Sequence, residues 1–205
     1  MNTWILTPEK YLKPHEAKTL LKTLEEKSIV ATAKKQKKPI RDYMLIDLAL
    51  GTGLRASELG DLRIKNLFIG KGESTLFVAH GKAAKSRLVY ISEKTRKHLK
   101  DYIKFKKESG ESIKPDSYLF TSERSDKMSL SAVQKRFKLW SRVAGLNPRY
   151  SIHSARHTYG TMLYRATKDL RLVQKQLGHS SSHITEIYAD VLPEDAEKAV
   201  NLLFA

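Results

Sequence analysis

The chain has 205 residues, a length that fits one domain, and 40% of them are hydrophobic, enough to bury a core and to argue against disorder. Lysine and arginine number 38 against 22 aspartates and glutamates, and the formal net charge of +16 points first to nucleic acid and second to an anionic surface or an acidic partner. Cysteine is absent, which excludes disulfides, thiolate metal sites and cysteine nucleophiles.

The spacing predicts a first helix from Pro14 to about Lys27, with Leu20, Leu21 and Leu24 as its apolar stripe. Lys34–Arg41 (KKQKKPIR) is a basic run containing Pro39 and reads as a loop. A second helix is expected over about Ile40–Leu50, stopped by Gly51 and Gly53, and a third begins near Arg55. Thr75–Ala79 and Arg87–Ile91 are β-prone and read as a hairpin. Ser92 suits the N-cap of a helix reaching Glu108, and Ser129 caps another, with Val133, Phe137 and Trp140 at core spacing. Helices over His153–Ala166 and Asp169–Leu177 follow, then one around Thr185–Ala189 and a last one after Pro193. The fold class is mainly α with a small antiparallel β-sheet (α+β), in a single domain. The longest apolar run, Tyr43–Leu50, is too short to span a bilayer and contains Asp47. The N-terminus shows no secretory pattern, so a cytoplasmic chain is expected.

Polar residues gather in unusual company in the last third. His153, Arg156 and His157 stand at i, i+3 and i+4, on one face of a helix. Gly178-His179 follows a helix stop, and Tyr188 comes nine residues later. Earlier, GTGLRASEL puts Arg55 at a helix start and GKAAKSR puts Lys82 and Lys85 at the hairpin tip. Taken singly, each has a plain reading as a solvated or packing residue. A zinc site on His153 and His157 is set aside, because the metalloprotease pattern needs Glu where Ser154 stands.

Together these segments resemble the tyrosine recombinase (phage integrase) family. GTGLRASEL matches its first catalytic-arginine motif, HSARHTYGTMLY its His-x-x-Arg-His box, and LVQKQLGHSSSHITEIYADV the segment that ends in the nucleophile. GKAAKSR resembles its hairpin-lysine motif, with Ala83 where glycine is usual. The likeness runs from about Leu12 to about Val191 and implies the family's catalytic-domain fold. No segment here corresponds to the N-terminal core-binding domain that most members carry.

The resemblance implies DNA strand exchange through a 3′-phosphotyrosine, with neither ATP nor metal nor other cofactor. Tyr188 would attack a backbone phosphodiester, and since a phenol has a pKa of about 10 it needs a base, assigned to His153. Arg55 and Arg156 would face the developing phosphoryl charge, His179 would donate to it, and Lys82 would protonate the leaving 5′-oxygen. Glu58 and His157 would be supporting residues. Lys34, Lys35, Lys37, Lys38, Lys85 and Arg87 are the expected DNA contacts, and Lys94–Lys107 is a further basic stretch. Residues 186–205 hold five acids and one lysine and read as an amphipathic tail with Ala196, Ala199, Val200 and Leu203 on one face. The resemblance implies that this tail docks on a neighbouring protomer of a tetramer on double-stranded DNA, with an accessory DNA-binding protein as a further partner. A type IB topoisomerase-like strand transferase and a silent DNA-binding regulator of the same fold are the alternatives.

Overall fold

Helix α2, Lys37–Thr52, is the axis on which the other elements are assembled. The computed structural model describes residues 7–79, 86–123 and 125–189. Met44, Leu45, Ile46, Leu48 and Ala49 are buried in succession, so α2 is enclosed on all sides rather than amphipathic. Around it pack α1 (Pro14–Ala33), α4 (Glu93–Glu108), α5 (Leu130–Val143) and α6 (Ile152–Thr167). Short helix α3 (Ala56–Asp61) follows α2 directly, and α7 (Leu170–Leu177) and α8 (His183–Glu186) follow α6.

Local chemistry sets these boundaries. Ser92 Oγ accepts from the Thr95 amide, Ser129 Oγ from Ala132 and Asp169 Oδ1 from Leu172, each satisfying an orphan donor of a first turn. The antiparallel sheet has the order β1 (Leu67–Phe68), β2 (Thr75–Val78), β3 (Arg87–Tyr90). Leu76 lies between Leu67 and Val89, and Leu76, Val78 and Val89 turn into the core while Phe68, Leu88 and Tyr90 face outward.

Four expectations are corrected. The basic run Lys34–Arg41 is a connection only as far as Gln36: α2 starts at Lys37, and Pro39 fits because a first-turn amide has no intrahelical acceptor. The first helix runs on to Ala33, six residues past Lys27. The sheet gains β1, too short to register as a pattern, and the helix expected around Thr185–Ala189 is α8, which ends at Glu186 before a turn. The helix expected after Pro193 lies outside the described residues.

Two acids are buried on α2. Asp42 has no exposed surface, and its Oδ2 accepts from Trp140 Nε1 and Arg136 Nε, both at 2.8 Å, and from a second Arg136 nitrogen. This ties α2 to α5. Asp42→Ala strands an indole N–H and a guanidinium at the core boundary. The expected loss is about 3 kcal/mol, the low end for a broken buried pair because Arg136 keeps some solvent. Urea unfolding reads it as a lower midpoint at unchanged slope, and a shift under about 1 kcal/mol would make the pair decorative.

Candidate active site

The C-terminal end of α2, the start of α3, the middle of α6 and the end of α7 meet at one place. Arg55 is the N-cap residue of α3, and its backbone N–H donates to Glu58 Oε2 at 2.8 Å. Its guanidinium donates to Glu58 Oε1 at 3.0 Å, while 38% of the side chain stays exposed. Glu58 also receives both terminal nitrogens of Arg87, at 2.9 and 3.0 Å, in a bidentate pair. Burial alone would raise the Glu58 carboxyl, but the bonds and charges of Arg87 and Arg55 outweigh it and hold it at about 2. Arg87 Nε donates to the Gln176 carbonyl, and Gln176 Oε1 takes the Tyr90 amide, so β3 is fastened to α7.

Arg156 projects from α6 and is 6% exposed. Its two terminal nitrogens donate at 2.8 Å to the carbonyls of Gly53 and Leu177, clamping the ends of α2 and α7 together. Burial, with Arg55 next, brings its guanidinium down to about 10, so it remains a cation at neutral pH. Gly178 ends α7 with φ of 67°, and a side chain there would meet the Arg87 guanidinium at 2.8 Å.

Tyr188 is among the largest fully buried side chains, at 1% exposure. It packs with Tyr11, Val173 and Leu177 in a small cluster separate from the main core. Its hydroxyl lies 3.3 Å from His157 Nδ1, and its ring lies parallel to that of His179, 6.2 Å between centroids. Burial pushes the phenol up to about 12 against the opposing pull of Arg156 and Arg55. Burial also lowers His157 to about 4, with Arg156, His153 and Lys10 adding to it, and His179 to about 3, with Arg156 and Arg55 next. Both imidazoles are therefore neutral at pH 7. His179 Nδ1 is fixed by Thr185 Oγ1 at 2.9 Å.

Six of the residues singled out in the sequence, Arg55, Glu58, Arg156, His157, His179 and Tyr188, are thus in one site. His153 is exposed at the start of α6, and His157, read from sequence as a supporting residue, is the imidazole within reach of the Tyr188 hydroxyl. Arg87 is a correction: instead of facing DNA, its side chain is 8% exposed and bound to Glu58. Lys34, Lys35, Lys37 and Lys38 are exposed at the other end of α2, roughly 24 Å away by helix rise. There Lys38 pairs with Glu123 and Lys37 donates to the Ser109 carbonyl. Lys82 and Lys85 lie outside the described residues. Gln176, Thr185, Gly160 and the Lys10–Tyr11 pair were not legible as site residues: the first three lie inside the matched segments, but their roles come from tertiary contacts that the motifs do not spell out.

Gly160 in α6 carries the Tyr188 ring: a Cβ there would stand 2.6 Å from Tyr188 Cζ and 2.7 Å from Cε1. Gly160→Ala adds up to about 1 kcal/mol of helix propensity but pushes the ring out of its seat. The phenol is then expected to fall from about 12 toward its ordinary 10.0. Tyrosinate absorbance titrated against Tyr188→Phe and Gly160→Ala/Tyr188→Phe controls reads the change, and an unmoved titration would mean the ring adapts in place. A second expectation concerns pH. Unfolded, both histidines titrate near 6.5, whereas folded they take protons only near 4 and 3. Their contribution is whole above pH 6.5 and is lost as pH falls, because the unfolded chain binds protons the folded chain refuses. Melting temperature should drop between pH 6.5 and 4.5, above the range where Glu58 begins to matter, and His157→Gln with His179→Gln should flatten that drop.

A model of the phage integrase family matches residues 10–195. Over 163 residues the chain is 37% identical to a tyrosine recombinase XerC of Caldanaerobacter subterraneus subsp. tengcongensis, covering 78% of this chain and 44% of that protein. It is 32% identical over 198 residues to tyrosine recombinase XerA of Pyrococcus furiosus, covering 94% and 65%. In structure it is similar to a crystal structure of XerA recombinase, with TM-score 0.76, 27% identity and coverage of 95% and 65%. It shares its fold with XerH site-specific recombinase bound to palindromic difH substrate in a post-cleavage complex, with TM-score 0.76, 24% identity and coverage of 95% and 53%. The chain spans 44% to 65% of the length of these relatives. With the family model matched over most of its length and the site residues gathered on a shared fold, this chain belongs to the phage integrase family.

Proposed function

We propose that the chain is the strand-transferring part of a site-specific DNA recombinase. The observation that supports it best is the Tyr188 hydroxyl resting on a neutral His157 beside two arginines that carry fixed positive charge. In this reading the Tyr188 oxygen attacks a phosphodiester, a P–O bond to Tyr188 forms, and the bond to the 5′-oxygen breaks. The phenolic proton passes to His157, and the departing 5′-oxygen takes a proton from Lys82. The phosphotyrosyl link conserves the broken bond, so a 5′-hydroxyl from a second strand reverses the step. Arg55 and Arg156 stabilise the extra charge on the non-bridging oxygens in a site where burial strengthens them. At 1% exposure the Tyr188 ring has to leave the Gly160 seat before it meets DNA.

The finer parts of this reading are a homotetramer on double-stranded DNA, exchange of the tail beyond Tyr188 between protomers, an accessory DNA-binding protein, and a nucleoid-associated location. The experiment uses duplex fragments of the DNA flanking the gene, nicked so that a short product diffuses away after cleavage, with EDTA present. A protein–DNA adduct resistant to denaturant, absent in Tyr188→Phe with DNA binding retained, is expected. Salt-sensitive binding without adduct would instead make the chain a silent DNA-binding member. An adduct with relaxation but no joined pair of sites would indicate a topoisomerase-like activity.

A further inference from the structure

A cavity of about 360 Å³ lies beside the site and shares only His157 with the chemistry above. Lys10, Arg149, Ser151, His153, Ser154 and His157 line it, whereas Arg55, Arg156 and Tyr188 do not. We propose that it holds a second phosphate of the cleaved strand, the neighbour of the scissile one, with Lys10 and Arg149 as its binding residues.

The cavity is built, not incidental. The Leu12 amide donates to Thr158 Oγ1 at 2.8 Å, and Tyr11 is buried in the same cluster as Tyr188. Those anchors pin the short turn Pro8–Lys10 to α6, the helix that carries both histidines. Position 10 is therefore tethered next to the His-x-x-Arg-His face. Arg149 stands across the mouth and pairs with Glu9 at 3.2 Å. Both partners of that pair are exposed, so it is weak, and an incoming phosphate displaces Glu9 at little cost.

His157 divides the two places. Its Nδ1 faces Tyr188, and its ring also lines the cavity. The Tyr188 hydroxyl and the cavity thus share His157 as a common wall. His157 borders both places, so a strand that sets one phosphodiester at Tyr188 continues along the cavity, where Lys10 and Arg149 would meet its next phosphate. Two cations and the exposed His153 make this a place for a phosphodiester, and a lysine there acts as a point charge with loose orientational demand. The proposal rests on the strand-transfer reading and adds a subsite to it.

The test uses the nicked duplex once its cleavage position is mapped, with a methylphosphonate replacing the phosphate next to the scissile one. Wild type should lose about tenfold in adduct formation on this DNA, the scale of one lost charged contact. Lys10→Ala should lose a similar factor on unmodified DNA and nothing more on the methylphosphonate. Its salt dependence of binding should be shallower by about one unit of slope. Lys10→Arg should stay within about twofold of wild type, and unchanged melting temperatures separate contact from fold. Equal methylphosphonate penalties in wild type and Lys10→Ala overturn the subsite, as does a Lys10→Ala protein with wild-type rates and slope. Absence of adduct from wild type on unmodified DNA overturns the strand-transfer reading itself, and the subsite with it.

Discussion

The Glu58 carboxylate is the piece of electrostatics on which the site depends. The Arg55 and Arg87 guanidiniums meet at Glu58 Oε1, and without an anion between them they would repel at this distance. Arg87 and Glu58 are both nearly enclosed, so the pair exchanges water for fixed partners and gains geometry more than stability. What that geometry achieves is direction. Arg55 is held with part of its surface open to solvent, and β3 is fastened to the end of α7 where His179 begins. A buried ion pair is thereby used to aim an exposed cation.

Arg156 works by a related principle with backbone in place of a carboxylate. It spends both terminal nitrogens on carbonyls at the ends of two helices, Gly53 after α2 and Leu177 in α7. Helix C-termini leave carbonyls unsatisfied and carry partial negative charge, so a cation there is favourable. The same side chain lowers the affinity of His157 and His179 for protons and opposes the burial that raises Tyr188. One guanidinium thus closes the fold and, after burial, adds to what keeps the histidines around Tyr188 neutral.

Helix positions were legible in the sequence wherever a cap chemistry marked them. Ser92 and Ser129 each cap the helix expected of them, Asp169 caps the helix expected to begin with it, and Gly178 ends α7. The start of α2 was misread because a run of lysines with a proline looks like a loop, although proline is tolerated in a first turn. The two-residue strand β1 has no period to detect. In the site, motif residues could be named but not oriented. Arg87 and Lys82 sit in one basic hairpin motif, and charge alone assigned Arg87 to DNA, while its inward turn depends on Glu58 and Gln176, which are far away in sequence. The choice between His153 and His157 likewise turns on where Tyr188 lies, a contact 31 residues long in sequence that no spacing encodes.

Tyr188 is seated outside the main core, and this bears on how the site works. The large cluster runs through α1 to α6 and the sheet, whereas Tyr188 shares a satellite with Tyr11, Val173 and Leu177. Moving a side chain out of the large core would open a cavity among residues that cannot collapse, at a cost of several kcal/mol. Moving it out of a four-residue cluster at the edge disturbs few neighbours, and segments that must open belong to the less stable end of a structure. Gly160 keeps the seat shallow on its inner side, with backbone in place of a side chain to grip the ring. In the proposed reaction, Tyr188 as nucleophile needs to be shielded from adventitious reaction until substrate arrives and then to travel cheaply. Under the proposed strand transfer, seating it on a glycine, in a minor cluster, against a neutral histidine meets both requirements, and leaves phosphate binding to Arg55 and Arg156, which Glu58 and two helix-end carbonyls hold in place.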